Sequence, residues 1–358
     1  MSFPIIIMVA ACGAQPPGLE TARGCQMDWQ QIAETAPGDF DQTSSLIFRD
    51  GRLFFFSTVA DALESVDTRT GAFQAVAPSF SSSLWSEGDH MIFAAGPDGL
   101  AFFSLPFSGG TPMLHFDGAT EPTTHTFPMA RAISATDYVW VERGRADDPS
   151  GSTRFTVWRA PRPAGPAVRL GTAAAVVPDG FPVSTWTIAL ADNAVVMAGE
   201  VGGVAVAVPF DGSATRPLAT EPFSDGLMKY GVPIGVDRTG VYWSMRRPGT
   251  TLEDGSSIIV LAPADGGPAR VFWQGPALHT TPLHIWPTDE GGWVIVGAQQ
   301  FEDTTRTTVW LLDAQGAGRR LGCSPPGVFE ITARPAVTSD AVFLIAAKDN
   351  SVIVRVPR

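Results

Sequence analysis

The sequence is poor in charged residues and lacks the signals of long helices. Asp, Glu, Lys and Arg make up only 17% of its 358 residues, while glycine contributes 37 and proline 30. No long segment combines an apolar period of 3.6 residues with helix-capping residues at its ends. Frequent turn formers without helical periodicity are typical of short strands joined by turns, so we expect an all-β protein.

Positive charge is also scarce. Lys and Arg total 24 against 36 Asp and Glu, which gives a formal net charge of -12 at pH 7. Proteins that bind nucleic acid draw much of their affinity from Lys and Arg side chains that displace phosphate counterions. The acidic balance therefore excludes nucleic acid as an expected partner.

Motifs that carry familiar chemistry are missing from the sequence. It contains no Gly-x-Ser-x-Gly nucleophile motif, no Walker loop, no Gly-x-Gly-x-x-Gly and no His-Glu-x-x-His. We therefore predict no cofactor, no metal site and no catalytic residues.

Cysteine is rare, and the first of the three cysteines follows a short apolar segment. Residues 3–11 are apolar, but they are fewer than the roughly 20 needed to span a bilayer as a helix. We interpret residues 1–11 as a signal peptide. The sequence Val-Ala-Ala-Cys at residues 9–12 resembles the bacterial lipobox, which implies a lipid on Cys12 and a flexible tether over residues 12–25. The expected location is the bacterial cell envelope, at the outer membrane or cell surface; the alternative is an apolar tail whose cysteine carries no lipid.

An aspartate followed by an apolar run recurs along the rest of the chain at intervals of 39 to 55 residues. The run Val241–Met245 shows the type: β-branched and aromatic residues without a polar face, as expected of a strand buried on both sides. Repeats of this length are typical of propeller blades. We predict a seven-bladed β-propeller of four-stranded antiparallel blades over residues 26–358. The recurring aspartates are Asp50, Asp89, Asp137, Asp192, Asp237, Asp289 and Asp340.

The seventh repeat lacks its outer strand. It ends after the apolar strand Ser351–Arg355, whereas a strand without a partner, Met27–Ala33, precedes the first repeat. We expect this N-terminal strand to pair into the last blade and close the ring. Cys25 would then lie near Cys323, which follows the outer strand of the sixth repeat, so we predict a disulfide between them. The alternative is two separate thiols.

The repeat Asp237–Trp273 resembles a known class of propeller repeat. Its sequences Val-Tyr-Trp at residues 241–243 and Asp-Gly-Gly-Pro at residues 265–268 are similar to YWTD-type and NHL-type repeats, found in many exported bacterial proteins. This resemblance implies the fold and not an activity, because propellers carry unrelated functions.

Long loops are confined to one predicted face of the propeller. They join second to third strands and one blade to the next, whereas the turns on the other face are short. Loops on a rigid frame often carry binding sites, so we expect a ligand at this face, around the mouth of the central channel. Arginine could bind a charged or polyhydroxylated ligand there, although these charges could equally be solvated loop residues. The candidate ligand-binding residues are Arg143, Arg145, Arg246, Arg247, Asp254, Arg306, His125, His279 and His284.

Three functional hypotheses remain open at this point. The first is a monomeric, lipid-anchored, non-enzymatic module that binds or scaffolds a protein or an envelope polysaccharide. The second is a hydrolase or lyase acting on a polysaccharide or small ligand at the channel mouth, which requires a channel histidine beside a carboxylate. The third is a structural spacer with no ligand, whose channel mouth is filled by its own loops.

Overall fold

The computed structural model describes residues 25, 29–35, 45–78, 83–95, 100–117, 128–143, 152–163, 165–176, 186–199, 204–218, 232–246, 257–274, 280–301, 304–325, 330–331, 333–347 and 351–358. Within these residues all regular structure is β-strand, and no helix capable of crossing a membrane is found. The strands form seven separate antiparallel sheets. The prediction of an all-β, seven-bladed propeller is confirmed.

Blades 1 to 6 each consist of four consecutive strands paired in chain order. Blade 1 contains β2 (Ile47–Arg49), β3 (Arg52–Ser57), β4 (Ala62–Asp67) and β5 (Phe73–Pro78); blade 2 contains β6 (Leu84–Glu87), β7 (His90–Ala95), β8 (Ala101–Pro106) and β9 (Met113–Asp117). Blade 3 contains β10 (Pro128–Ile133), β11 (Asp137–Arg143), β12 (Ser152–Pro161) and β13 (Val168–Val176); blade 4 contains β14 (Trp186–Leu190), β15 (Ala194–Gly199), β16 (Val204–Pro209) and β17 (Arg216–Pro217). Blade 5 contains β18 (Val232–Asp237), β19 (Gly240–Arg246), β20 (Ser257–Pro263) and β21 (Arg270–Gln274); blade 6 contains β22 (Thr280–Pro287), β23 (Trp293–Gln300), β24 (Thr305–Leu312) and β25 (Gly318–Cys323).

Blade 7 combines the two ends of the described chain. It consists of β1 (Gln30–Thr35), β26 (Glu330–Ile331), β27 (Ala336–Val337), β28 (Ala341–Ala347) and β29 (Ser351–Pro357). Its outer strand is β1, which pairs antiparallel with β29, so the N-terminal strand closes the ring as predicted. Its inner edge is divided between the two short strands β26 and β27, which both pair with β28.

The apolar runs of the second strands fill the spaces between blades on both sides. In β19, Val241 and Trp243 are buried in one cluster with Val196 of blade 4. Tyr242, between them, is buried in another cluster with Ile285 of blade 6. Successive strand side chains point to opposite faces, and each face here meets a neighbouring blade, which is why no polar alternation appears in these runs.

Neighbouring inner strands approach one another very closely. A Cβ atom added to Gly235 of β18 would lie 2.2 Å from the carbonyl oxygen of Ile285 in β22. This glycine is not at a positive φ angle, so the reason for it is space and not backbone conformation.

A carboxylate is buried between aromatic side chains of blade 3. Glu142 of β11 is 5% exposed, and each of its oxygens accepts a hydrogen bond from an indole N–H, Trp140 Nε1 at 3.0 Å and Trp158 Nε1 at 3.0 Å. Burial raises the pKa of Glu142, and the two indole hydrogen bonds oppose this increase.

The predicted disulfide is present. Cys25 and Cys323 are bonded across a sequence separation of 298 residues, with their Cα atoms 5.8 Å apart. Both cysteines are buried together with Phe301. The bond links the segment before β1 to the end of β25, so it joins the outer rims of blades 6 and 7.

Candidate functional site

A cavity of about 800 Å³ occupies the axis of the ring. The first strands of blades 2 to 6 line it, and blade 7 contributes Arg334. The lining also includes the turns that follow β18 and β22, so the cavity extends to the face of the propeller that carries the short turns.

Three arginines line this cavity. Arg131 lies in β10 between the buried residues Ala130 and Ala132, Arg238 lies in the turn after β18, and Arg334 lies between β26 and β27. The ring therefore brings cations from blades 3, 5 and 7 to one space.

Arg334 reaches the cavity because the inner edge of blade 7 is interrupted at this point. Its backbone forms a bridge to Ser45, and the N–H of Leu46 donates a hydrogen bond of 2.9 Å to the carbonyl oxygen of Arg334. Pro335 follows directly, and proline disfavours continuation of a regular ladder. The side chain is thus placed between two short strands and not within a continuous one.

The guanidinium of Arg334 is surrounded by the channel walls but retains surface exposed to the cavity. Among the described residues it donates one hydrogen bond, from an Nη atom to the carbonyl oxygen of Pro287 at 3.2 Å. Desolvation lowers the pKa of this guanidinium, and the charge of Asp289 opposes the effect. An arginine carries five N–H donors, so further acceptors can be bound at this position.

One carboxylate of the cavity is already saturated with donors. Asp237 is 7% exposed and accepts hydrogen bonds from Tyr242 Oη at 2.8 Å, Trp293 Nε1 at 3.1 Å and the backbone N–H of Thr239 at 2.7 Å. Burial and the adjacent carboxylate raise the pKa of Tyr242. This network links blade 5 to blade 6 at the rim of the cavity, and its negative charge is compensated by local donors.

Aromatic rings complete the lining. His284 and Trp286, both in β22, stack with ring centroids 5.1 Å apart. Burial lowers the pKa of His284 to about 4, so this imidazole is neutral near pH 7. Trp85 of β6 also lines the cavity. The site therefore combines arginine cations with flat aromatic faces and a neutral imidazole.

Few of the sequence candidates can be placed in this site. His284 lines the cavity, whereas Arg306 lies in β24 and donates to the carbonyl oxygen of Ser324 at 3.1 Å, within blade 6. Arg143 and Arg246 end strands β11 and β19, but their side chains are outside the described part. Entirely outside the described residues lie Cys12, His125, Arg145, Arg247, Asp254 and His279, together with most of the long loops.

The remaining described histidines are away from the cavity lining. His90 lies beside Asp89 on the surface, with 2.6 Å between Nδ1 and the carboxylate. His115 is in the outer strand β9 and lies 2.7 Å from the hydroxyl of Ser104. In the part of the chain that the structure describes, no three His, Cys, Asp or Glu side chains are grouped to hold a metal ion.

Sequence reasoning did not identify the cavity arginines. For Arg131 the signal was an isolated arginine in an otherwise apolar first strand, Ala-Arg-Ala over residues 130–132, whereas Arg238 in a turn and Arg334 between two short strands carry no such signal. A charged residue in a strand expected to be buried indicates either a partner or a cavity.

Comparisons with known proteins support the fold. No protein-family model and no curated protein sequence match the chain. Among solved structures, an ulvan lyase of polysaccharide lyase family PL25 aligns over 91% of this chain and 95% of its own, with a TM-score of 0.51 and 9% identity. An acylaminoacyl peptidase of Pyrococcus horikoshii aligns over 88% of this chain but only 52% of its own, with a TM-score of 0.50 and 8% identity. A chain of the nidogen/laminin complex covers 72% of this chain and is itself covered to 86%, with a TM-score of 0.39 and 16% identity. At identities of 8 to 9%, the similarity to the lyase and to the peptidase shows the propeller fold alone.

Proposed function

We propose that this protein is a non-enzymatic binding protein of the bacterial envelope, and that its central cavity binds an anionic group of its ligand. The observation that carries the proposal is Arg334, a partly desolvated cation that faces the cavity with one hydrogen bond among the described residues. Arg131 and Arg238 add positive charge to the same space.

The energetics favour an anion at this position. Removing a cation from bulk water is costly, and a bound carboxylate or sulfate offsets that cost through charge-assisted, bidentate hydrogen bonds. Asp237 does not compete strongly, because its oxygens already accept hydrogen bonds from Tyr242, Trp293 and Thr239. The cavity lining carries three arginines against two carboxylates, Asp237 and Asp289, so an anionic ligand meets a net positive charge.

Export and anchoring form part of the same proposal. The lipobox-like sequence before Cys12 supports a lipid anchor, and the Cys25–Cys323 disulfide fits an oxidising compartment outside the cytosol. We propose that the protein acts there as a monomer, with a protein or envelope polysaccharide as its partner. We also propose that the blades are repeats of the YWTD or NHL type. The long loops could make further contacts with the ligand.

The test compares D-glucuronic acid with D-glucose, which differ in charge at one carbon atom. We expect glucuronic acid to raise the melting temperature of the full-length chain and glucose not to, since a ligand that binds only the folded state stabilises it by mass action. Arg334→Gln keeps an N–H donor for the carbonyl of Pro287 but removes the charge, and should weaken glucuronic acid binding at least tenfold.

Arg69→Gln is the matched control, because Arg69 is highly exposed in a blade 1 turn and should leave binding unchanged. Equal binding of glucose and glucuronic acid, or an Arg334→Gln variant that binds like the unsubstituted protein, would contradict the proposal. If the protein converts a bound saccharide into product, it is not a non-enzymatic binding protein, and the hydrolase or lyase hypothesis replaces that part of the proposal.

A further inference from the structure

The central cavity adjoins a second space. A groove of about 430 Å³ lies over blade 6 on the short-turn face and reaches Arg358 at the end of the chain. It shares Thr288, Gly292 and Ala314 with the lining of the central cavity. Because the two spaces meet at these residues, a ligand held on the axis can extend outward along the groove.

The groove is lined by both hydrogen-bond donors and acceptors. Glu290 accepts from Arg358 at 2.9 Å, and Arg358 also donates to the carbonyl oxygen of Thr338 at 2.6 Å. One oxygen of Asp313 accepts two backbone N–H groups of its own turn, and Arg319 adds a further cation to the lining. Hydroxyl groups both donate and accept, so a neutral polyhydroxylated unit matches this mixture, whereas the two carboxylates and two arginines of the groove balance in charge and give a second anion no net attraction.

The groove is poorly suited to an extended peptide. Peptides that bind along a sheet pair their main chain with a free strand edge. The strand beneath the groove, β24, is already paired with β23 on one side and with β25 on the other. Strand addition to β24 is therefore excluded, and only two residues of the outer strand β25, Gly318 and Arg319, line the groove.

We infer that the ligand of the proposed site is a linear acidic oligosaccharide, with its acidic unit in the central cavity and neutral sugar units in the blade 6 groove. This inference rests on the proposed function, because the acidic unit is the anion held near Arg334. The ligand would thus leave the ring axis along blade 6, with its acidic end innermost.

The test measures how affinity depends on ligand length. The probes are D-glucuronic acid and the aldouronic acids in which one glucuronic acid unit is linked to one, two or three xylose units, titrated calorimetrically into the full-length protein. We expect affinity to rise at least tenfold from glucuronic acid to the tetrasaccharide. Ala317→Trp places a large ring in the groove and should remove this gain while glucuronic acid binds as before.

Ala214→Trp is the matched control. Ala214 is exposed in the corresponding turn of blade 4, outside both spaces, so this variant should retain the full gain with length. A tetraglutamate peptide serves as the competing polymer and should bind more weakly than the tetrasaccharide.

The outcomes separate the two proposals. If glucuronic acid itself does not bind, the proposed function is wrong, and the oligosaccharide inference is wrong with it. If glucuronic acid binds but affinity does not increase with length, only the groove inference is wrong. Tighter binding of tetraglutamate, or loss of glucuronic acid binding in Ala317→Trp, would also overturn the groove inference.

Discussion

Replacing both bridged cysteines by alanine should destabilise the ring where β1 pairs with β29 and closes it. The disulfide closes a loop with a sequence separation of 298 residues. The chain-entropy model assigns a loop of this length about 5 to 6 kcal/mol at 25 °C, while native disulfides measured in small secreted domains typically contribute about 2 to 5 kcal/mol. Cys25 and Cys323 are also buried with Phe301, so the lost sulfur atoms remove about 1 kcal/mol of packing each. We expect the Cys25→Ala/Cys323→Ala variant to lose about 4 kcal/mol or more.

Urea unfolding followed by tryptophan fluorescence measures this loss, since the variant should show a lower unfolding midpoint. A reducing agent should lower the unfolding midpoint of the original protein to a value close to that of the variant. The remaining difference between the two midpoints reports the packing of the sulfur atoms. Hydrogen exchange should increase first in β1, the strand next to the bond. If the double variant unfolds at the same urea concentration as the oxidised protein, pairing of β1 with β29 alone closes the ring and our reasoning about the disulfide is wrong.

Two further substitutions test the packing and the electrostatics of the blades. Gly235→Ala brings a Cβ atom to 2.2 Å from the carbonyl oxygen of Ile285 and should lower the free energy of unfolding in urea by about 3 kcal/mol. Gly171→Ala meets side-chain atoms alone, a Val208 methyl at 3.0 Å and Thr215 Oγ1 at 3.5 Å, and should cost far less; equal effects would contradict the close approach of the inner strands. Burial raises the pKa of Glu142 in the folded protein above its value in the unfolded chain, so the protein is most stable below the unfolded pKa and loses stability as pH rises through the folded pKa. Glu142→Gln lacks this carboxyl group, so its stability relative to the original protein should increase with pH. A stability difference that is independent of pH would refute this.

The architecture could be predicted from the sequence because each blade repeats one physical pattern. A second strand such as β19 is buried on both faces, and its apolar run Val241–Trp243 is visible without a structure. The closing strand was predicted over Met27–Ala33 and is observed as Gln30–Thr35. Its boundary was harder to predict because the register shifts between Gln31 and Ala33.

The site could not be predicted in the same way. Arg131, Arg238 and Arg334 come from three blades, and only the closure of the ring brings them to one cavity. No local pattern states which side chain of an inner strand faces the axis. The interruption that exposes Arg334 depends on its contact with Ser45 near the other end of the chain. Loop length, the signal used to predict the site, indicates where a chain tolerates insertions but not where a cavity forms.

The bridge between Ser45 and Arg334 would couple ligand binding at the proposed site to closure of the ring between blades 1 and 7. The hydrogen bond from Leu46 to Arg334 joins blade 1 to blade 7 at the inner side of the seam, and the cationic side chain of the same residue faces the cavity. An anion bound at the proposed site would favour the closed contact between blades 1 and 7 and would slow its opening; conversely, strain that parts these blades would lower the affinity for the anion by the same coupling free energy. Under the proposed envelope function, tension from a bound polymer would thus release that polymer as the ring begins to open.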